Sequence, residues 1–277
     1  MDLPTTVEYP MIVIGDLHGR VAWLDRLVAK LRQLPEWPGA RLVFLGDLVD
    51  RCDSVRALVD RVLELLAEKP GSTCVTGNHD MALIGATGLD DRPPRPYWVR
   101  RYAAAYDHLN TFRSYLGRVP DRSSDERWVN DLAALNAAIP ADHRRFLSGL
   151  PWVAEAEGHV FLHNGLSAEL DCPASVQLHC LHKKIWDRAA VSPRLGTNTD
   201  RFFTPDYPVW IGADKKLSDH PLPIPGKVQV SGHVQIDAPD ANRVRIRIDT
   251  SGGVREPLTG CVLRGPAADP LFVFSNL

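Results

Sequence analysis

Three carboxylates, an asparagine, an arginine and several histidines stand at or just beyond the ends of short apolar runs in this chain. Asp16 and His18 lie in Gly15-Asp16-Leu17-His18-Gly19, and Asp47, Asp50 and Arg51 in Gly46-Asp47-Leu48-Val49-Asp50-Arg51. Asn78 and His79 follow Gly77, His163 precedes Asn164-Gly165, and His233 follows Gly232. An aspartate and a histidine two residues apart at a strand end fall on the same side of a short turn. Such mixed nitrogen and oxygen donors suit a small borderline cation. Taken singly, each has a plainer explanation: a helix cap, a turn residue, a hydrogen-bonded loop histidine or a surface ion pair. Five such endings in one chain exceed what turn chemistry accounts for.

The elements that must position them can be read from the same pattern. The runs at 9–14, 41–45, 73–76, 159–162 and 228–230 are short, apolar and β-branched, as expected of buried strands, and glycine lets the backbone turn sharply after several of them. Between them, 21–34 carries Leu24, Leu27, Val28 and Leu31 at helical spacing. A second helix is predicted over 55–68, with Ser54 as its N-cap and Pro70-Gly71 after it. Strand and helix in alternation predict an α/β core. The runs at 243–249, 260–263 and 271–274 predict strands of a second, mostly antiparallel sheet. Residues from about 85 to 150 read as a helical insertion over the core, and 191–226 as a proline-rich irregular stretch. Tyr97, Trp98, Tyr102 and Tyr106 have near-helical spacing and are expected to pack the insertion rather than stack a base. His108, His143, His159, His179, His182 and His220 have no motif around them and are expected to be structural or surface residues.

Composition excludes several classes. The chain has 277 residues, 44% hydrophobic and 24% charged, as in an ordinary globular domain. A net charge of −2 leaves no broad basic surface, so long nucleic acid is not an expected partner. No signal peptide and no apolar run long enough for a membrane span are visible. Five cysteines without a C-x-x-C pair fit reduced thiols in a cytoplasmic protein.

The motifs G-D-x-H-G, G-D-x-V-D-R and G-N-H-D, followed by separate histidines, resemble the calcineurin-like metallophosphoesterase superfamily. The phosphoprotein-phosphatase type is the nearest match, especially its small bacterial serine/threonine-phosphatase-like members. Thr111-Phe112-Arg113-Ser114-Tyr115, Trp186-Asp187-Arg188 and the stretch from Asn242-Arg243 to Asp249-Thr250 resemble further elements of that type, so the likeness spans nearly the whole chain. It implies one domain over 1–277, built as two packed β-sheets flanked by helices (an α/β/β/α sandwich), with a cap-like helical insertion at about 85–150.

The resemblance also implies roles. Asp16 and His18 would bind one metal, Asp47 would bridge two, and Asn78, His163 and His233 would complete the second site. Arg51 and Arg188 would grip phosphoryl oxygens, and His79, oriented by Asp50, would act as general acid. The chemistry agrees with that allocation. Two metals about 3.5–4 Å apart generate hydroxide near neutral pH for direct attack and clamp the phosphoryl oxygens. Arginine's planar fork matches those oxygens, and histidine can donate a proton near neutrality. Mn²⁺ is the expected ion, and Fe, Zn or Co would also suit these donors. Departures from the family pattern fall at Cys52-Asp53, Asn164, Val234 and Ser251; none removes an expected ligand. The expected substrate is a phosphomonoester, either phosphoserine or phosphothreonine in a protein or a small phosphoester. A diadenosine tetraphosphate hydrolase is the alternative, although that branch typically lacks the residues standing here as Asp50 and Arg51. A non-catalytic metal-binding scaffold is a remote third, since such relatives usually lose ligands. The insertion is expected to cap the cleft, with Arg95, Arg100 and Arg101 exposed toward substrate.

Overall fold

A computed structural model of the chain describes residues 2–168, 173–184, 209–212, 217 and 220–276. The apolar runs become strands, and register brings their ends level. β1 (Met11–Ile14) pairs in parallel with β2 (Arg41–Phe44), which pairs in parallel with β3 (Thr73–Cys74). Ile14 lies opposite Phe44, and Phe44 opposite Cys74. The segments that follow the three strands, carrying Asp16, Asp47 and Asn78, therefore leave from one edge.

The second sheet repeats this arrangement. β4 (Val153–Glu155) is antiparallel to β5 (His159–Leu162), and β5, β6 (Val228–Ser231) and β8 (Arg245–Arg247) run parallel. β7 (Asp240–Ala241) closes the far side, giving the order β4-β5-β6-β8-β7. His163 directly follows β5, and His233 follows β6 after one glycine.

One expectation is corrected here. The runs at 260–263 and 271–274 do not enter the second sheet. As β9 (Thr259–Leu263) and β10 (Leu271–Phe274) they extend the first, in the order β10-β9-β1-β2-β3, with β9 antiparallel to β1. The second sheet is accordingly mixed rather than mostly antiparallel. β1 is buried on both faces, so its free edge needs a partner. The chain's last strands supply it, and such non-local pairing leaves no trace in local sequence.

Side chains alternate between two cores with strand periodicity. Met11 and Val13, Val43 and Leu45, Phe161, Val230, Ile246, and Cys261 with Leu263 meet between the sheets. Ile12, Ile14, Leu42, Phe44, Val160 and Leu162 face outward under helices. Each fully buried Leu, Ile or Phe in these layers contributes about 1.5–3 kcal/mol of transfer free energy. α1 (Val21–Leu31) and α2 (Val55–Glu68) cover the first sheet through Leu24, Leu27, Leu31, Leu58 and Val62. α8 (Ala174–His182) packs near β4 on the second. Ser54 stands at the N-cap of α2 without capping it: its hydroxyl turns to Asp53, and the Arg56 amide donates instead to Ser114 Oγ at 2.8 Å.

Residues 78–149 form five helices: α3 (Asn78–Thr87), α4 (Pro96–Ala105), α5 (Leu109–Leu116), α6 (Asp125–Ala138) and α7 (Ala141–Gly149). α3 packs against α4 so closely that a Cβ at Gly85 would come within 2.4 Å of the Trp98 ring. Trp98 and Tyr102 are fully buried and Tyr106 nearly so, as the aromatic spacing implied, and Phe112 is buried with them. No helix among the described residues is long and apolar enough to cross a membrane.

Candidate active site

The level strand ends deliver the expected residues to one place. His18 Nδ1 lies 2.8 Å from the Val49 carbonyl and His163 Nδ1 lies 2.7 Å from the Leu45 carbonyl. Each contact fixes a ring so that its Nε2 points inward. Both Nε2 atoms stand 3.4 Å from the same atom, Asp47 Oδ2. Asn78 Oδ1 lies 2.9 Å from His163 Nε2 and 3.0 Å from His233 Nδ1. Two groups of potential ligands result, His18–Asp47–His79 and Asp47–His163–His233, sharing Asp47. Asp16 is buried beside them, outside both groups, with its carboxylate accepting the His233 amide at 3.1 and 3.2 Å.

The backbone is bent to achieve this. His18, Asp47, Asp50, Arg51 and His233 all have positive φ, between 42° and 71°. Non-glycine residues seldom adopt that region, and such strain clusters at functional sites. Close approach also demands glycine: a Cβ on Gly77 would sit 2.2 Å from the Asp47 backbone nitrogen and from its Oδ1.

Electrostatics set the protonation pattern. Burial, then the neighbouring His79, pushes the His18 pKa well below its ordinary value, so the ring is neutral. Burial opposes ionisation of Asp47, but His163 and His79 outweigh it and hold the carboxyl well below its usual range. His163 carries the compensating charge: burial lowers its pKa, but Asp47 and Asp16 raise it to about 10. His233 is pushed down to about 3 by burial and by His163. Burial and Asp249 raise Asp16 well above the carboxylate range.

This donor set fits divalent cations. The buried His18 Nε2 has no hydrogen-bond partner. It turns a lone pair toward an ionised carboxylate, and two acceptors face each other favourably only across a positive charge.

Behind the ligands lies a second constellation. His79 Nδ1 is 2.7 Å from Asp50 Oδ2, and the His79 ring stands edge-on between His18 and Tyr106, with centroids 4.6 and 4.7 Å away. Arg51 Nη2 lies 3.4 Å from His79 Nε2, while its Nη1 donates to the Gly252 carbonyl. Arg188 lies outside the described residues.

Sequence reasoning assigned no role to several residues that build the site. Asp80 accepts the amides of Asp47, Leu48 and Gly77, each at 2.9 Å, which ties the second and third motifs together. Asp249, pushed up to about 6 by burial, accepts the Gly252 amide beside Arg51. Tyr102, Tyr106 and Thr111 come from the insertion. Tyr102 is buried as expected, yet its hydroxyl donates to Asp50 Oδ1 at 2.7 Å. Three of the arginine expectations also separate. Arg95 pairs with Asp90 at 2.7 Å, Arg100 lines a groove with Arg122 and Trp128, and Arg101 opposes the burial that raises the Tyr106 pKa.

The family model for calcineurin-like phosphoesterases matches residues 9–236. Among curated proteins nothing matches. Several solved structures share the fold. A protein provisionally described as a diadenosine tetraphosphatase superposes with a TM-score of 0.52 at 19% identity, covering 98% of both chains. A point mutant of a cold-active protein tyrosine phosphatase gives 0.57 at 15% identity, covering 99% of this chain and 80% of the other. The cold-active protein-tyrosine phosphatase of a psychrophile, Shewanella sp., gives 0.52 at 15%, covering 99% and 83%. At these identities the likeness is one of fold.

Proposed function

The chain belongs to the calcineurin-like phosphoesterase family and is a metal-dependent phosphatase, and we propose that it hydrolyses phosphomonoesters of the phosphoserine and phosphothreonine class at the centre built around Asp47. The observation that carries this reading is Asp47 Oδ2, equidistant at 3.4 Å from the imidazoles of His18 and His163. In it, His18 and Asp16 would hold one divalent cation and Asn78, His163 and His233 the other, with Asp47 serving both. Mn²⁺ is the ion we favour. The cations, when bound, make water nucleophilic near neutral pH and offset the charge of the phosphoryl oxygens.

The chain's own residues do the rest. Arg51 donates its guanidinium fork to the non-bridging oxygens, which repel any incoming nucleophile less once so held. Arg188 takes the same part in this reading. As the bond from phosphorus to the ester oxygen breaks, His79 gives that oxygen a proton from Nε2. The electron pair leaves as an alcohol rather than an alkoxide. Asp50 accepts Nδ1–H and so holds the ring in the tautomer and direction that this transfer needs. A cytoplasmic setting suits the free thiols of Cys52, Cys74 and Cys261.

The test is turnover of a phosphoserine peptide, 4-nitrophenyl phosphate and diadenosine tetraphosphate side by side with Mn²⁺. The proposal expects the highest kcat/KM on the phosphopeptide. A clear preference for diadenosine tetraphosphate would replace it with the dinucleotide reading.

A further inference from the structure

Asp50 is fully buried, and its carboxylate accepts three side-chain donors. His79 Nδ1 is on Oδ2 at 2.7 Å, while Tyr102 OH and Thr111 Oγ1 are on Oδ1 at 2.7 and 2.6 Å. The Thr111 hydroxyl also accepts the Asp50 amide at 3.0 Å, so one oxygen holds both the backbone and the side chain of residue 50. The same stretch of the insertion secures residue 51. The Arg51 amide donates to the Asp107 carbonyl at 2.9 Å, and Asn110 Nδ2 donates to the Arg51 carbonyl at 2.8 Å. Asp50 and Arg51 have φ of 71° and 63°, a strained pair that persists only when its surroundings over-determine it.

We propose that Tyr102 and Thr111 are positioning residues for proton donation: they hold Oδ1 of Asp50 so that Oδ2 keeps His79 aimed at the leaving oxygen. This makes the α4–α5 segment part of the reaction's geometry rather than only a cover for the core. A carboxylate held by one donor turns about its χ2 bond, and the imidazole then follows it. With two hydroxyls on Oδ1, only Oδ2 remains for His79, and its direction is set. Neither hydroxyl touches a proposed metal ligand, so the effect falls on acid catalysis and spares metal binding. If the hydroxyls only satisfied their own hydrogen-bonding needs, losing them would lower stability and leave leaving-group dependence unchanged.

The inference rests on His79 being the general acid, and the experiment separates the two. The full chain with Mn²⁺ is assayed on phenyl phosphate, a poor leaving group, and 2,4-dinitrophenyl phosphate, a good one, with bound metal measured throughout. Tyr102→Phe and Thr111→Val should each lower kcat on phenyl phosphate by about ten- to a hundredfold, the scale for a misplaced catalytic group. On the dinitrophenyl ester the loss should be several-fold smaller, with metal content and KM unmoved. Thr111→Ser, which keeps the hydroxyl, should recover most of the rate. Adding Thr111→Val to His79→Ala should cost nothing further. Equal losses on both esters, or losses additive with His79→Ala, overturn the positioning role while a leaving-group-dependent His79→Ala leaves the acid standing. A His79→Ala variant that loses equally on both esters overturns the acid and this inference with it. Should Thr111→Val fail to fold, Tyr102→Phe, which deletes a single oxygen, decides.

Discussion

The Asp47 carboxylate accepts the backbone amide of His79 at 2.8 Å through Oδ1 while its Oδ2 faces two imidazoles. One side chain thus sets the distance between the proposed cation centre and the proposed acid. The two halves of the proposed chemistry meet at this residue, because α3 begins at Asn78 and carries His79 in its first turn.

Asp47→Asn should therefore nearly abolish turnover and reduce bound metal. The amide can still accept from the His79 amide, so the fold should survive and the loss should lie in the charge. Elemental analysis alongside a nitrophenyl phosphate assay checks it. Retained metal with retained activity would remove Asp47 from the centre.

Asp80→Ala strands three buried amides, those of Asp47, Leu48 and Gly77. Each unpaired buried amide costs about 1–3 kcal/mol, so a destabilisation of about 3 kcal/mol or more is expected, with bound metal lost as well. Denaturant unfolding with and without Mn²⁺ measures both. A change under about 1 kcal/mol would mean that the loop holds its shape without this carboxylate.

Much of this cluster was legible in the sequence. Asp16, Asp47, Asn78, His163 and His233 announce themselves because each follows a short apolar strand closely, and level register then brings them together. What was not legible depends on convergence. Asp80 sits within a recognised motif, but that its carboxylate spans two loops is visible only when those loops meet. Tyr102 fits the helical packing pattern of α4, which hides the hydroxyl that it carries to Asp50. β9 and β10 look like any alternating strands, and nothing local says which sheet edge lacks a partner.

The metal-free centre should respond to pH with a definite sign. His163 has a folded pKa of about 10, above its ordinary 6.5, because Asp47 and Asp16 outweigh the burial that would lower it. The stability from this proton is complete below pH 6.5 and is lost as pH rises through about 10. Cations bound there would take over its charge and displace it. The rise in Tm on adding saturating Mn²⁺ should therefore grow between about pH 6 and about pH 9. A Tm increment that is flat or falling over that range would show that no such proton is displaced.

Of the three arginines at the start of the insertion, Arg101 is the one whose charge acts on Tyr106, the ring packed edge-on against His79. Arg101→Ala should raise KM for a phosphopeptide several-fold and leave 4-nitrophenyl phosphate unaffected. Arg95→Ala, which breaks the Asp90 pair, and Arg100→Ala should change neither KM. Steady-state kinetics on the two substrates decides it. Equal effects from all three would point to a general loss of charge instead.

The central claim, that phosphoester hydrolysis runs at a cation centre built on Asp47, is tested most directly by one titration. Protein stripped with chelator is assayed on 4-nitrophenyl phosphate as Mn²⁺ is returned, with bound ion counted at each point. Turnover should be absent at the start and rise with occupancy to a plateau at two ions per chain. Undiminished turnover in the stripped protein, or a plateau reached with no ion bound, would contradict the account.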